Sequence, residues 1–212
     1  MGDIADLGFS LRITTVVVPV ALYFLILGLL NSRARPQLLR GRRDFALLIV
    51  ALSPLFVLPV LHWAGGSWLA LAAAAAAGAG GLALLSPPAD SWVVYNITPL
   101  QAAEAVRDAI RAAGLEFDRR GGAFDLTGLG ATVRLSPFPL LRNVSIRMTG
   151  ADRGASRLFE AALARRLGGI SAETTPMAMA LLLVAAAMLV APLAIVAPRA
   201  GEIVRILTGM LY

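Results

Sequence analysis

The sequence predicts a membrane α-helical protein with four transmembrane helices and one small α+β domain inserted between the third and the fourth. Three observations carry this expectation. Residues 13–30, 45–63, 68–85 and 176–196 contain no Asp, Glu, Lys or Arg, and each has about the length a helix needs to cross a hydrocarbon core of about 30 Å. The 212-residue chain is 58% hydrophobic and 15% charged, with mean hydropathy +0.76, whereas a soluble domain is about a quarter charged. Between residues 87 and 174 the charges return, and the periods of strands and amphipathic helices become readable. The chain therefore divides into a membrane region (1–86), an α+β domain (87–174), and a last span with a C-terminal tail (175–212).

The first stretch holds Pro19, which membrane helices tolerate. Asp3 and Asp6 precede it where a signal peptide would carry basic residues. A short loop follows, with Arg33, Arg35, Arg40, Arg42 and Arg43. The second stretch carries Pro54 and Pro59, which predicts a kinked helix. Trp63 and Trp68 then bracket a tight turn at interfacial depth.

The third stretch is mostly Ala and Gly, with Ala74 four residues before Gly78 and Ala77 four before Gly81. Such small-xxx-small spacing lets helix backbones approach closely in lipid. Any Ala-rich helix contains such pairs, so the spacing alone does not distinguish packing from composition. Alanine contributes little to insertion; were this stretch to stay outside, the domain would lie on the opposite side of the membrane.

Orientation is read from arginine. All 19 basic residues are Arg and none is Lys, the bias of a GC-rich bacterial genome. Sixteen lie in the 31–43 loop and the 87–174 domain, and three on the other side. Arginine excess in short loops marks the cytoplasmic side. Both termini are expected outside a bacterial inner membrane, with the loop and the domain in the cytoplasm. The five loop arginines set topology and meet anionic headgroups.

Within the domain, Trp92–Ile97 is β-branched and aromatic, a strand. Thr98-Pro99-Leu100-Gln101 has the form of a capping box. The following helix aligns Leu100, Ala103, Val106, Ile110 and Ala113, and Gly114 closes it. Alternating segments at 115–119, 123–126, 131–136 and, resuming after Pro137-Phe138-Pro139, 143–148 read as strands. A second amphipathic helix at 155–167 aligns Leu158, Phe159, Ala162, Leu163 and Leu167. The order expected is β-α-β-β-β-α, a sheet with two helices on one face. Its layering resembles a ferredoxin-like or POTRA-like module, which by itself implies no function. After Pro198, Ile203, Ile206, Leu207, Met210 and Leu211 fall at helical spacing, predicting a C-terminal amphipathic helix.

Chemistry is bounded by what is missing. With no cysteine there is no disulfide, thiolate nucleophile or Cys-ligated metal. His62 is the single histidine, beside Trp63, and reads as an interfacial side chain. Thr127-Gly128-Leu129-Gly130 joins two strands and reads as a turn, not a phosphate loop. Glu116, Asp118, Arg119 and Asp125 surround a hairpin and read as cross-strand pairs on a solvated sheet. No span carries an internal charge, as ion and proton pathways usually do. No basic run is interleaved with aromatics, so no nucleic-acid partner is expected.

The expectation is a non-catalytic accessory or scaffold subunit, without cofactor or metal, in a larger inner-membrane complex. Its partners are other membrane subunits or copies of itself, and the bilayer. The alternative is a homo-oligomeric channel or transport component whose pore is lined by the Ala/Gly-rich helix.

Overall fold

The computed structural model describes residues 2–65, 67–197, 201 and 208. The elements run α1 (Gly2–Ser32), β1 (Gln37–Arg40), α2 (Gly41–Ala64), α3 (Trp68–Leu85), β2 (Ser91–Tyr95), α4 (Pro99–Ala112), β3 (Phe117–Arg120), β4 (Ala123–Leu126), β5 (Ala131–Phe138), β6 (Asn143–Thr149), α5 (Arg153–Gly168) and α6 (Pro176–Val196). Ile203, Ile206, Leu207, Met210 and Leu211, which align the expected C-terminal amphipathic helix, lie outside the described residues.

Three helical segments are long and apolar enough to cross a membrane: Ile13–Ser32, Gly41–Ala64 and Trp68–Leu85. Helix α1 starts well before its apolar stretch, at Gly2. The apolar α6 packs along α1. At one close approach, a methyl group on Gly28 would lie 2.8 Å from Leu182 Cδ2 and 3.2 Å from its backbone nitrogen. Gly65, in the left-handed conformation (φ 53°), ends α2, and the Ser67 side chain accepts from Ala70 N to start α3.

All six strands form one antiparallel sheet in the order β1-β2-β6-β5-β4-β3. Two features of the sheet depart from the sequence expectation. The 31–43 segment is not only a loop: Gln37–Arg40 pairs with β2 from Gln37↔Tyr95 to Arg40↔Trp92 and forms an edge of the sheet. And four strands, not three, follow α4, giving β-α-β-β-β-β-α for the domain segment. A 3-10 turn at Pro139–Leu141, closed by Arg142 in the left-handed conformation (φ 46°), folds β5 back onto β6 as a separate hairpin strand. The ferredoxin-like order places its second helix before the last strand; here α5 follows the whole meander, so the likeness is confined to layering.

Helices α4 and α5 cover the inner face of the sheet. Trp92, Val94, Phe124, Val133, Val144 and Ile146 meet Val106, Ile110, Phe159 and Leu163 in one buried core, with the Trp92 and Phe159 rings edge-on at 5.5 Å. Each such side chain contributes about 1.5–3 kcal/mol by leaving water. The capping box forms as its residues require, with Thr98 accepting from Gln101 N and Gln101 Oε1 accepting from Thr98 N. The buried face of α4 is turned from the expected one, to Ala102, Ala105, Val106, Ala109 and Ile110, leaving Leu100 70% exposed. On α5, Ser156 is buried and Leu158 is exposed. In both helices small residues share the buried face with the large ones, and a leucine beside that face is exposed.

The outer face of the sheet is turned to the apolar helices. Val93 and Tyr95 of β2 and Leu39 of β1 pack with Tyr23, Phe24, Leu27 and Leu30 of α1 and Leu181 of α6. The α+β layer thus shares a hydrophobic junction with the helices that flank it in sequence.

Candidate functional site

The junction is built around β1 and the first turns of α2. Asn96, buried and at φ 55°, donates from Nδ2 to the Arg33 carbonyl at 2.9 Å. Ala172 N donates to Ala34 O at 2.9 Å, so the segments entering and leaving the domain touch. Arg33 reaches Gln37 Oε1 at 3.2 Å, and Gln37 in turn donates to the Arg35 carbonyl at 3.0 Å. Arg40 makes a two-pronged ion pair with Glu160 of α5, at 2.9 and 2.8 Å. The bound guanidinium holds the Glu160 carboxyl below its usual range, against a smaller opposing effect of burial. Arg42 and Arg43 are exposed on the first turn of α2. Two of the five loop arginines therefore have side chains engaged within the fold, in addition to any part they play in topology.

Gly41 lies directly against Ser91, whose hydroxyl donates to Pro88 O at 2.7 Å. That contact seats the start of α2 on β2. One turn later the Tyr95 hydroxyl donates to the Asp44 carboxylate. Burial, reinforced by the neighbouring carboxylate, pushes the Tyr95 phenol above its usual range.

Beyond β2 the start of α2 and the outer face of the sheet line an open cavity of about 670 Å³. Gly41, Asp44, Phe45 and Leu48 face it from α2 at i, i+3, i+4 and i+7. Its floor is the outer face of the β5–β6 ladder, where Ser136 lies opposite Ser145, Arg134 opposite Arg147 and Thr132 opposite Thr149. Among the described residues neither the Arg134 nor the Arg147 side chain has a hydrogen-bond or ion-pair partner. Sequence reading passes over this pair. Both arginines stand at ordinary outward positions of alternating strands, and only the placement of α2 over that face makes a cavity there.

The other sequence candidates fall elsewhere. His62 is exposed in the last turn of α2, at an apolar groove with Val17, Pro54 and Leu58. Asp118 lies opposite Asp125 in the β3–β4 hairpin, and Arg120 bridges them at 3.4 and 3.8 Å. Arg119 instead lies over the Phe124 ring at 5.8 Å. Thr127–Gly130 is a turn between β4 and β5. Ala74, Ala77, Gly78 and Gly81 lie on α3, and no residue of that helix is buried. Among the described residues no group of three or more His, Asp or Glu could hold a metal ion.

Compared with family models, with curated proteins and with solved structures, the chain matches none.

Proposed function

We propose that the chain crosses a bacterial inner membrane four times, through α1, α2, α3 and α6, and acts as a non-catalytic accessory or scaffold subunit of a larger complex. The observation that carries this reading is α3. This 18-residue apolar helix has no buried residue within the chain, and positions Gly78 and Gly81 meet nothing within 4 Å. Where Ala74 and Gly78, and Ala77 and Gly81, share a face, a helix from another subunit could approach to backbone distance. The arginine asymmetry supports a cytoplasmic domain with both termini outside. The shared hydrophobic junction supports a scaffold role, because it holds the domain in a fixed attitude to the helices.

The test is purification of a tagged copy from native expression in mild detergent, reading total mass and stoichiometric companions. A larger assembly with different subunits is the expected result. A homo-oligomer without companions would overturn it in favour of the channel-like alternative, which ion flux from the reconstituted protein would then check.

A further inference from the structure

Along the outer face of the β5–β6 hairpin the chemistry is graded. At the tip, Phe138 and Leu140 are 51% and 63% exposed, and the turn carrying Leu140 packs against α6. Next come the facing serines, Ser136 and Ser145, and then the facing arginines, Arg134 and Arg147. Both arginines are exposed, and no contact within the chain calls for placing them opposite each other. Like charges directly opposite on a sheet are destabilising, and among the described residues no carboxylate or carbonyl compensates either side chain. Two guanidinium groups flanked by hydroxyls in a concavity match the forked geometry and charge of phosphate oxygens.

We propose that this cavity binds the phosphate of an anionic lipid headgroup through Arg134 and Arg147. The surroundings select a lipid over a soluble phosphate. The roof is the start of α2, a 24-residue apolar helix, and the exposed Phe138 and Leu140 extend an apolar edge beside the hydroxyl and arginine rows. Asp44 also lines the cavity, its carboxylate engaged by the Tyr95 hydroxyl. Two arginines against one aspartate leave a single positive charge, which suits a phosphodiester better than a dianion. The inference goes beyond the scaffold reading and depends only on α2 being a membrane helix.

The experiment follows thermal unfolding of the full chain in neutral detergent, by tryptophan fluorescence. Phosphatidylglycerol, phosphatidylcholine and inorganic phosphate are titrated separately. Phosphatidylglycerol is expected to raise the midpoint saturably, with the shift shrinking as salt is added, while phosphatidylcholine and inorganic phosphate leave it unchanged. Arg134→Gln should weaken the response about fivefold, and R134Q/R147Q about thirtyfold, given the typical contribution of one arginine near an anionic surface. Without lipid the double variant should unfold at the same temperature as the parent or higher, because a repulsion has been removed. Arg119→Gln, away from the cavity, should respond as the parent does. An undiminished response in R134Q/R147Q, an equal response to phosphatidylcholine, or no response to any lipid would overturn the proposal. So would an equal response to inorganic phosphate, which would make the ligand soluble, or a loss of lipid-free stability in the double variant, which would make the arginines structural.

Discussion

The Tyr95 hydroxyl donates to the Asp44 carboxylate, tying the second strand of the sheet to the first turn of α2. Tyr95 is buried, so its hydroxyl has no ready substitute partner, while Asp44 is half-buried at the edge of the cavity. Tyr95→Phe should cost about 1.5–3 kcal/mol, the range for a hydrogen bond to a charged group, read by denaturant unfolding in detergent. The raised phenol also has an alkaline signature. The unfolded tyrosine ionises first, so stability holds below the ordinary tyrosine range and falls as pH rises through it. In Tyr95→Phe that fall should be smaller.

Gly41 leaves no room for a side chain against Ser91. Gly41→Ala should destabilise the fold by about 1–3 kcal/mol, as overpacking does. Adding Ser91→Gly should recover part of that loss, so a double-mutant cycle should give a favourable coupling energy. Purely additive effects would show that the close approach is not what limits this position.

Gly28 and Gly78 are both helical glycines in apolar segments, but their surroundings differ. A methyl group at Gly28 would strike Leu182 of α6, whereas one at Gly78 meets nothing. Gly28→Ala is expected to lower the unfolding temperature of the isolated chain. Gly78→Ile should leave it unchanged yet reduce recovery of companion subunits. Equal effects of both on the isolated chain would contradict this division.

Arg40 lowers the Glu160 carboxyl, so the pair's contribution is present above the ordinary carboxylate range and is lost as pH falls through and below it. Both side chains are partly exposed, so solvent screening keeps the effect small. Stability curves of the parent and Glu160→Gln should therefore differ at neutral pH and converge as the pH falls below the ordinary carboxylate range.

The chain has no cysteine, so single cysteines report topology without background. In intact cells an impermeant thiol reagent should label Gly66→Cys and leave Gly122→Cys unlabelled. Gly122 suits the purpose because a side chain there meets only ordinary contact, 3.8 Å from Leu135 O. Labelling of Gly122→Cys would place the domain on the outer side.

What the sequence made legible was whatever local pattern determines. Alternation marks the segments of β2 through β6, though not that 131–136 and 143–148 pair as two strands, and Thr98 with Gln101 marks the start of α4 because both partners of that cap lie within one turn. Strand β1 was not legible. Its four residues, Gln37-Leu38-Leu39-Arg40, have no β-branched side chain and too short an alternation, and the partner that makes them a strand lies far along the chain. Leu100 misled for a related reason, since helical spacing gives a stripe but not which edge of it meets the sheet. Arg134 and Arg147 became notable only once α2 was placed above them.

Strand β1 also imposes an order of events during biogenesis. Gln37–Arg40 emerges from the ribosome before α2 and α3, and its partner β2 only afterwards. Until then β1 is a stretch of unpaired backbone between two apolar helices, and the sheet cannot gain this edge before both following helices have been made. A chain in which the intervening helices are misplaced would keep an unpaired β2 edge, open to other strands.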